Sequence, residues 1–174
     1  MSDGRGMTLR LRGPVWVGEA PTPLDNPELY DELLRRRILA SAIDFLLLLA
    51  LSGAIWLAAF VATGMTFGLM GPVIWPLQVV AASLLPVAYF TWMIGSGGAT
   101  AGMYLLDLEV RGYTGSRLDY IQAFVRAALF LVSFSLPLVF LVPLFNERKR
   151  CVHDFLSGSL VVRTSAVRAS LGFA

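Results

Sequence analysis

ILASAIDFLLLLALSGAIWLAAFVA, residues 38–62, carries a single charge, Asp44. At 1.5 Å per residue a helix of this length reaches roughly 37 Å, enough to cross a hydrocarbon layer of ~30 Å with some tilt. Its apolar residues form one block, with neither the alternation of a half-buried strand nor the stripe of an amphipathic helix. The stretch reads as a membrane span, and the rest of the chain is organised around it.

Composition agrees. Hydrophobic residues make up 56% of the 174 positions and charged residues 15%, where a soluble domain carries about a quarter charged. A net charge of +2 is too small to argue for a nucleic-acid partner. Cys151 and His153 are the only residues of their types, so an intrachain disulfide is excluded, and no metal site or cofactor is expected. Residues 1–27, with Pro14, Pro21, Pro23 and Pro27, read as a flexible polar tail. They hold no apolar core with a cleavage site, so the first span is expected to be retained and not to serve as a signal peptide. In ELYDELLRRR, residues 28–37, acids come first and arginines last, which suits a short interfacial helix.

Residues 72–94 read as a second span containing Pro76 and Pro86, with Trp75 and Trp92 near its two ends, where indole rings sit at the interfaces. Residues 121–145 form a third hydrophobic block with Arg126, Pro137 and Pro143 inside it. Between them GSGGATAG, residues 95–102, is a glycine-rich turn without the GK[ST] ending of a phosphate loop. Leu106, Leu108 and Val110 then alternate with Asp107, Glu109 and Arg111, a strand pattern. Leu160 to Val162 offers a second strand. The fold class is therefore an all-α membrane protein: a small bundle of two transmembrane helices plus a third, broken or re-entrant hydrophobic segment, with a short cytoplasmic β element. The membrane domain is expected over 28–164, followed by a tail, 165–174.

Basic residues set the orientation. Arg35, Arg36 and Arg37 abut the first span, the loop after it has no charge, and Arg111 and Arg117 lie in the next loop. The N-terminus and the 95–119 loop are thus expected on the cytoplasmic side of an inner (plasma) membrane. A simple third crossing would carry Arg148, Lys149, Arg150, Arg163 and Arg168 outside, against that rule. Two full crossings need about 40 apolar residues, more than the block holds. A hairpin turning at Ser133–Pro137 returns the tail to the cytoplasm, and the tail charges favour it, although such a shape needs other protein to cover its backbone.

Asp44 and Arg126 each lie roughly 8–9 Å into their segments by helical rise. An ionisable group at that depth costs a few kcal/mol unless paired or hydrated, so the expected pair is Asp44–Arg126. Such a pair either locks helices together or couples an ion. Arg37, on the face of Asp44, is expected to snorkel to head groups. His153–Asp154 follows the basic run ERKR. The two could form a proton sensor; more simply, Asp154 caps a helix or binds Arg126 or Arg37 while His153 sits at the interface. No Ser/His/Asp set, paired carboxylates or HExxH is present, and nothing argues for an enzyme.

Three stretches together resemble the RDD family of bacterial membrane proteins. RRRILASAID supplies the arginine and aspartate that open the first span, Arg37 and Asp44. GATAGMYLLDLEV is similar to the family's G-x-T-x-G-K stretch, giving Gly98, Thr100 and Gly102, with Met103 where the family has lysine. RKRCVHDFLSGSLVV is similar to the closing His-Asp segment, giving His153 and Asp154, with Ser159 in place of threonine. Arg126 falls where relatives also carry an arginine. The resemblance implies a functional charge network of Arg37, Asp44, Arg126, His153 and Asp154, with transport of a small ion or solute the usual suggestion. The chain is thin for a pathway, so membrane lipid and either a homo-oligomer or a membrane-protein partner are expected. The alternative is a non-catalytic scaffold or regulatory subunit of a membrane complex.

Overall fold

The computed structural model describes residues 16, 20–134, 142, 148 and 150–170. A 3-10 turn, Pro27–Leu29, leads into α1, Leu33–Met65. The interfacial helix expected over 28–37 is not separate from the span. Glu32 takes a left-handed backbone (φ 50°), and from Leu33 the helix runs on through the three arginines. Nothing between Leu33 and Ile38 breaks a helix, and Leu and Arg both favour one. A turn at residues 66–70 returns the chain to α2, Gly71–Gly97, which continues through Pro76 and Pro86. Both helices are long and apolar enough to cross a membrane. Their outer faces leave Leu46, Phe60, Val73 and Leu77 exposed along the whole length, surface that lipid covers at no cost and water does not.

α2 ends where Gly98 adopts a left-handed conformation (φ 75°) and its N–H donates to the Ile94 carbonyl at 2.8 Å, a position suited to glycine. One short helix, α3, Ala101–Leu105, precedes β1, Leu108–Gly112. α4, Tyr120–Phe134, opens the third hydrophobic block and packs antiparallel to α2 through the ring contacts Phe90–Phe130 and Trp92–Tyr120. α5, Val152–Leu156, is followed by β2, Ser159–Arg163, and α6, Thr164–Ser170. β2 pairs antiparallel with β1, with Val110 opposite Val161. The protein is thus a helical membrane fold with a small two-stranded sheet at one end.

That sheet has its own core. Leu108, Val110, Leu160, Val161 and Val162 are fully buried, packed with Leu29, Tyr30, Leu33, Leu118 and Val167. Ala20 and Val167, read from sequence as parts of tails, belong to it. Ala20 is buried, the Tyr30 hydroxyl donates to the Pro21 carbonyl at 2.6 Å, and Val167 on α6 is buried. Burial pushes the Tyr30 hydroxyl up to about 12, so it stays a neutral donor.

The proposed turn at Ser133–Pro137 lies mostly outside the described residues. Its two sides do not. α4 starts beside the sheet, and Arg150 onward is again beside the sheet, since β2 pairs with β1 and α5 packs on α4 at Arg126 and Phe130. The chain therefore returns to the end of the bundle where the third block began.

Candidate functional site

Asp44 is buried about three turns along α1 from its sheet end, and three uncharged donors hold it. Tyr89 Oη donates to Oδ1 at 2.7 Å, the Gly102 N–H to Oδ1 at 2.8 Å, and Thr100 Oγ1 to Oδ2 at 2.5 Å. Thr100 also caps α3, accepting from the Met103 N–H at 3.2 Å. The glycine turn is therefore a docking device for Asp44. Gly102 lies so close to α1 that an added Cβ would overlap the Ala40 carbonyl. The expected Asp44–Arg126 pair does not form. Equal depth along two helix axes fixes height but not azimuth, and three nearer donors already hold the carboxylate.

The Arg126 guanidinium instead binds Asp154. Nη1 of Arg126 donates to Oδ1 and Nη2 of Arg37 to Oδ2, and the Cys151 N–H adds a bond to Oδ2 at 3.1 Å. Asp154 thereby caps α5 and binds both arginines at once. Arg37, expected among head groups, is turned inward to it. Burial alone would raise the Asp154 pKa, but Arg126 and Arg37 outweigh it and hold the carboxyl well below the usual range. Ser159 completes the cluster: its hydroxyl accepts from Arg126 Nη1 at 3.1 Å, and its carbonyl accepts from Arg150 Nε at 3.2 Å. Sequence placed Ser159 only at the family's threonine position and Arg150 only among the tail charges, and it did not single out Tyr89. A hydroxyl or a further arginine among many carries no signal until the chain is folded.

His153 is buried and not interfacial, edge-on to Phe130 with ring centroids 5.1 Å apart. Burial drives its pKa down to about 4, against the attraction of Asp154, so the ring is neutral at pH 7 and its 3.6 Å approach to Asp154 is not an ion pair there. Cys151, His153 and Asp154 bring three ligand-type atoms within 4.8 Å of one another. Both oxygens of Asp154 are already held by guanidiniums, and a cation placed there would face Arg37 and Arg126.

The two carboxylate clusters flank a cavity of about 320 Å³ whose wall includes Arg37, Asp44, Arg126 and His153. Most of the rest is apolar, from Leu34, Ile38, Phe90, Ile94, Met103 and Phe130. All the candidate residues thus converge on one end of the bundle, in two groups and not in one chain of pairs.

A family model described as the RDD family matches residues 33–158. The match spans α1 through α5 and contains both carboxylates with their arginines, ending one residue before Ser159. Two departures from the family pattern can be placed. Met103, at the position where the resemblance led to the expectation of lysine, lines the cavity with a thioether, and Ser159, at the position where it implied threonine, supplies a hydroxyl to Arg126. No curated protein and no solved structure matches the chain. The chain is an integral membrane protein and belongs to the RDD family.

Proposed function

We propose that the protein transports a small ion or solute across an inner (plasma) membrane, with the cavity as the substrate site and Arg37, Asp44, Arg126, His153 and Asp154 as its polar machinery. The observation that carries this reading is the cavity itself, which opens among buried charges at the end of the bundle. Functional sites are where buried ionisable groups concentrate in membrane proteins. The N-terminus, the sheet and the tail are placed on the cytoplasmic side, because the basic residues gather at that end while the 66–70 turn has none. Two crossing helices enclose no pathway, so the transporting unit is an oligomer or a complex with a membrane partner.

A scaffold role is favoured by a different observation: Asp154 is saturated by its arginines, as a purely structural lock would be. Proteoliposome flux separates the two. For transport, the wild-type protein carries a cation or small-solute flux, and Asp44→Asn lowers it at least tenfold while the variant elutes as a folded species. For a scaffold, wild-type vesicles show no flux above empty ones, and a membrane partner co-purifies.

A further inference from the structure

The cavity is poorly matched to a bare ion. Its volume of about 320 Å³ corresponds to roughly ten waters at ~30 Å³ each, and its wall is mainly hydrocarbon. Its polar features are few and have a definite sense. Arg126 is 4% exposed, and its two hydrogen bonds among the described residues leave from Nη1. Among the described residues its Nε and Nη2 donors have no partner. His153 is 5% exposed, and its Nδ1 has no hydrogen-bond partner. Nε2 of the ring faces Asp154 Oδ1 at 3.6 Å. That favours the tautomer protonated on Nε2 and leaves Nδ1 an acceptor.

Charge points the same way. Arg37 and Arg126 share the carboxylate of Asp154, and Arg150 Nη2 donates to the Asp154 backbone carbonyl at 3.4 Å, so three guanidiniums stand around one carboxylate, two positive charges in excess. Asp44 on the other wall offsets one, and its oxygens are already covered by three donors. A buried cationic excess calls for an anion. The site lies where the first span and α4 begin, at the level where hydrocarbon meets head groups, and basic pockets between helices at that level suit anionic lipid.

We propose that the cavity binds an anionic phospholipid with a hydroxylated head group. Its phosphate rests on Arg126, a head-group hydroxyl donates to His153 Nδ1, and an acyl chain lies along Phe90, Ile94, Met103 and Phe130. The lipid site occupies the same cavity as the proposed transport site but stands on its own contacts, and binding is measured without flux. The test uses the full chain in detergent with phosphatidylglycerol, phosphatidylcholine of the same acyl chains, or inorganic phosphate. At a hundredfold excess over Kd, phosphatidylglycerol raises the melting midpoint by roughly 5–10 °C, and the other two leave it within 1–2 °C of the unliganded protein. Met103→Trp fills the cavity, touches no charge, and abolishes the shift with an unchanged circular dichroism spectrum. Should Met103→Trp fail to fold, Phe130→Trp serves in its place. Equal shifts from the two lipids, or from inorganic phosphate, overturn the proposal, as does a full shift in a folded Trp variant. A Trp variant that loses lipid binding but retains wild-type flux leaves the lipid site standing and overturns the cavity as the transport site.

Discussion

Asp154→Asn is expected to be the most damaging conservative change in the chain, lowering stability by about 3–5 kcal/mol. The side chain keeps its size and can still cap α5, so packing is not the cause. The loss is electrostatic. Arg126, fully inside the fold, and Arg37 each give a charge-assisted bond to this carboxylate, and neutralising it leaves Arg126 an uncompensated buried cation with Arg37 and Arg150 close by. Removing one partner of a buried pair costs far more than the pair itself contributes, because the remaining charge cannot return to water. Arg37→Gln is expected to cost less, about 1–3 kcal/mol, since Asp154 retains Arg126. Asp107→Asn is the control. Asp107 faces Arg163 at 3.6 Å in a partly exposed pair, worth at most about 1 kcal/mol. Chemical denaturation in detergent ranks the three. An Asp154→Asn loss no larger than that of Asp107→Asn contradicts the account.

Gly102→Ala is expected to cost roughly 2–5 kcal/mol, from overpacking together with lost hydrogen bonds to Asp44. One methyl has this effect because it meets backbone. The Ala40 carbonyl belongs to α1 and cannot rotate away as a side chain would. For the methyl to fit, α3 must lift from α1. That lengthens the bonds from the Gly102 N–H and from Thr100 Oγ1 to Asp44 and leaves a buried carboxylate under-donated. Gly53→Ala makes the contrast. Nothing lies within 4 Å of its added Cβ, and replacing a mid-helix glycine by alanine gains up to about 1 kcal/mol. The two substitutions are chemically identical and are expected to shift the unfolding midpoint in opposite directions. A Gly102→Ala midpoint equal to wild type would show that the turn does not dock as described.

These two sites also show what a sequence can disclose about such a fold. Arg37, Asp44, Arg126 and Asp154 stood out because a charge beside or within an apolar block is expensive and therefore visible. The strands were legible from alternation, and the return of the chain was hinted at by arginines that would otherwise lie on the wrong side. The partners were not legible. Thr100, Tyr89 and the Gly102 N–H are uncharged donors of a kind found throughout the chain, and only the folded turn brings them to one carboxylate. Depth along an axis suggested Asp44–Arg126, but a neighbour is chosen by azimuth as well as depth. Azimuth depends on how α1, α2 and α4 pack. The same limit hid the sheet's core: Ala20 and Val167 lie in stretches whose composition says tail and Tyr30 in one read as an interfacial helix, and they are buried because the β1–β2 pair has few other residues to cover it.

Asp154, gripped by Arg37 and Arg126, holds the returning chain at the end of the bundle from which α1 started. Single cysteines test it directly in a Cys151→Ser background, using an impermeant maleimide on sealed membranes. Leu24, Phe67 and Ala169 are all exposed and mark the start, the 66–70 turn and the end. Leu24→Cys and Ala169→Cys are expected to label from the same face, and Phe67→Cys from the opposite one. Labelling of Ala169→Cys from the Phe67 face would mean that the third segment crosses, and that neither Asp154 nor the sheet could be where they are described.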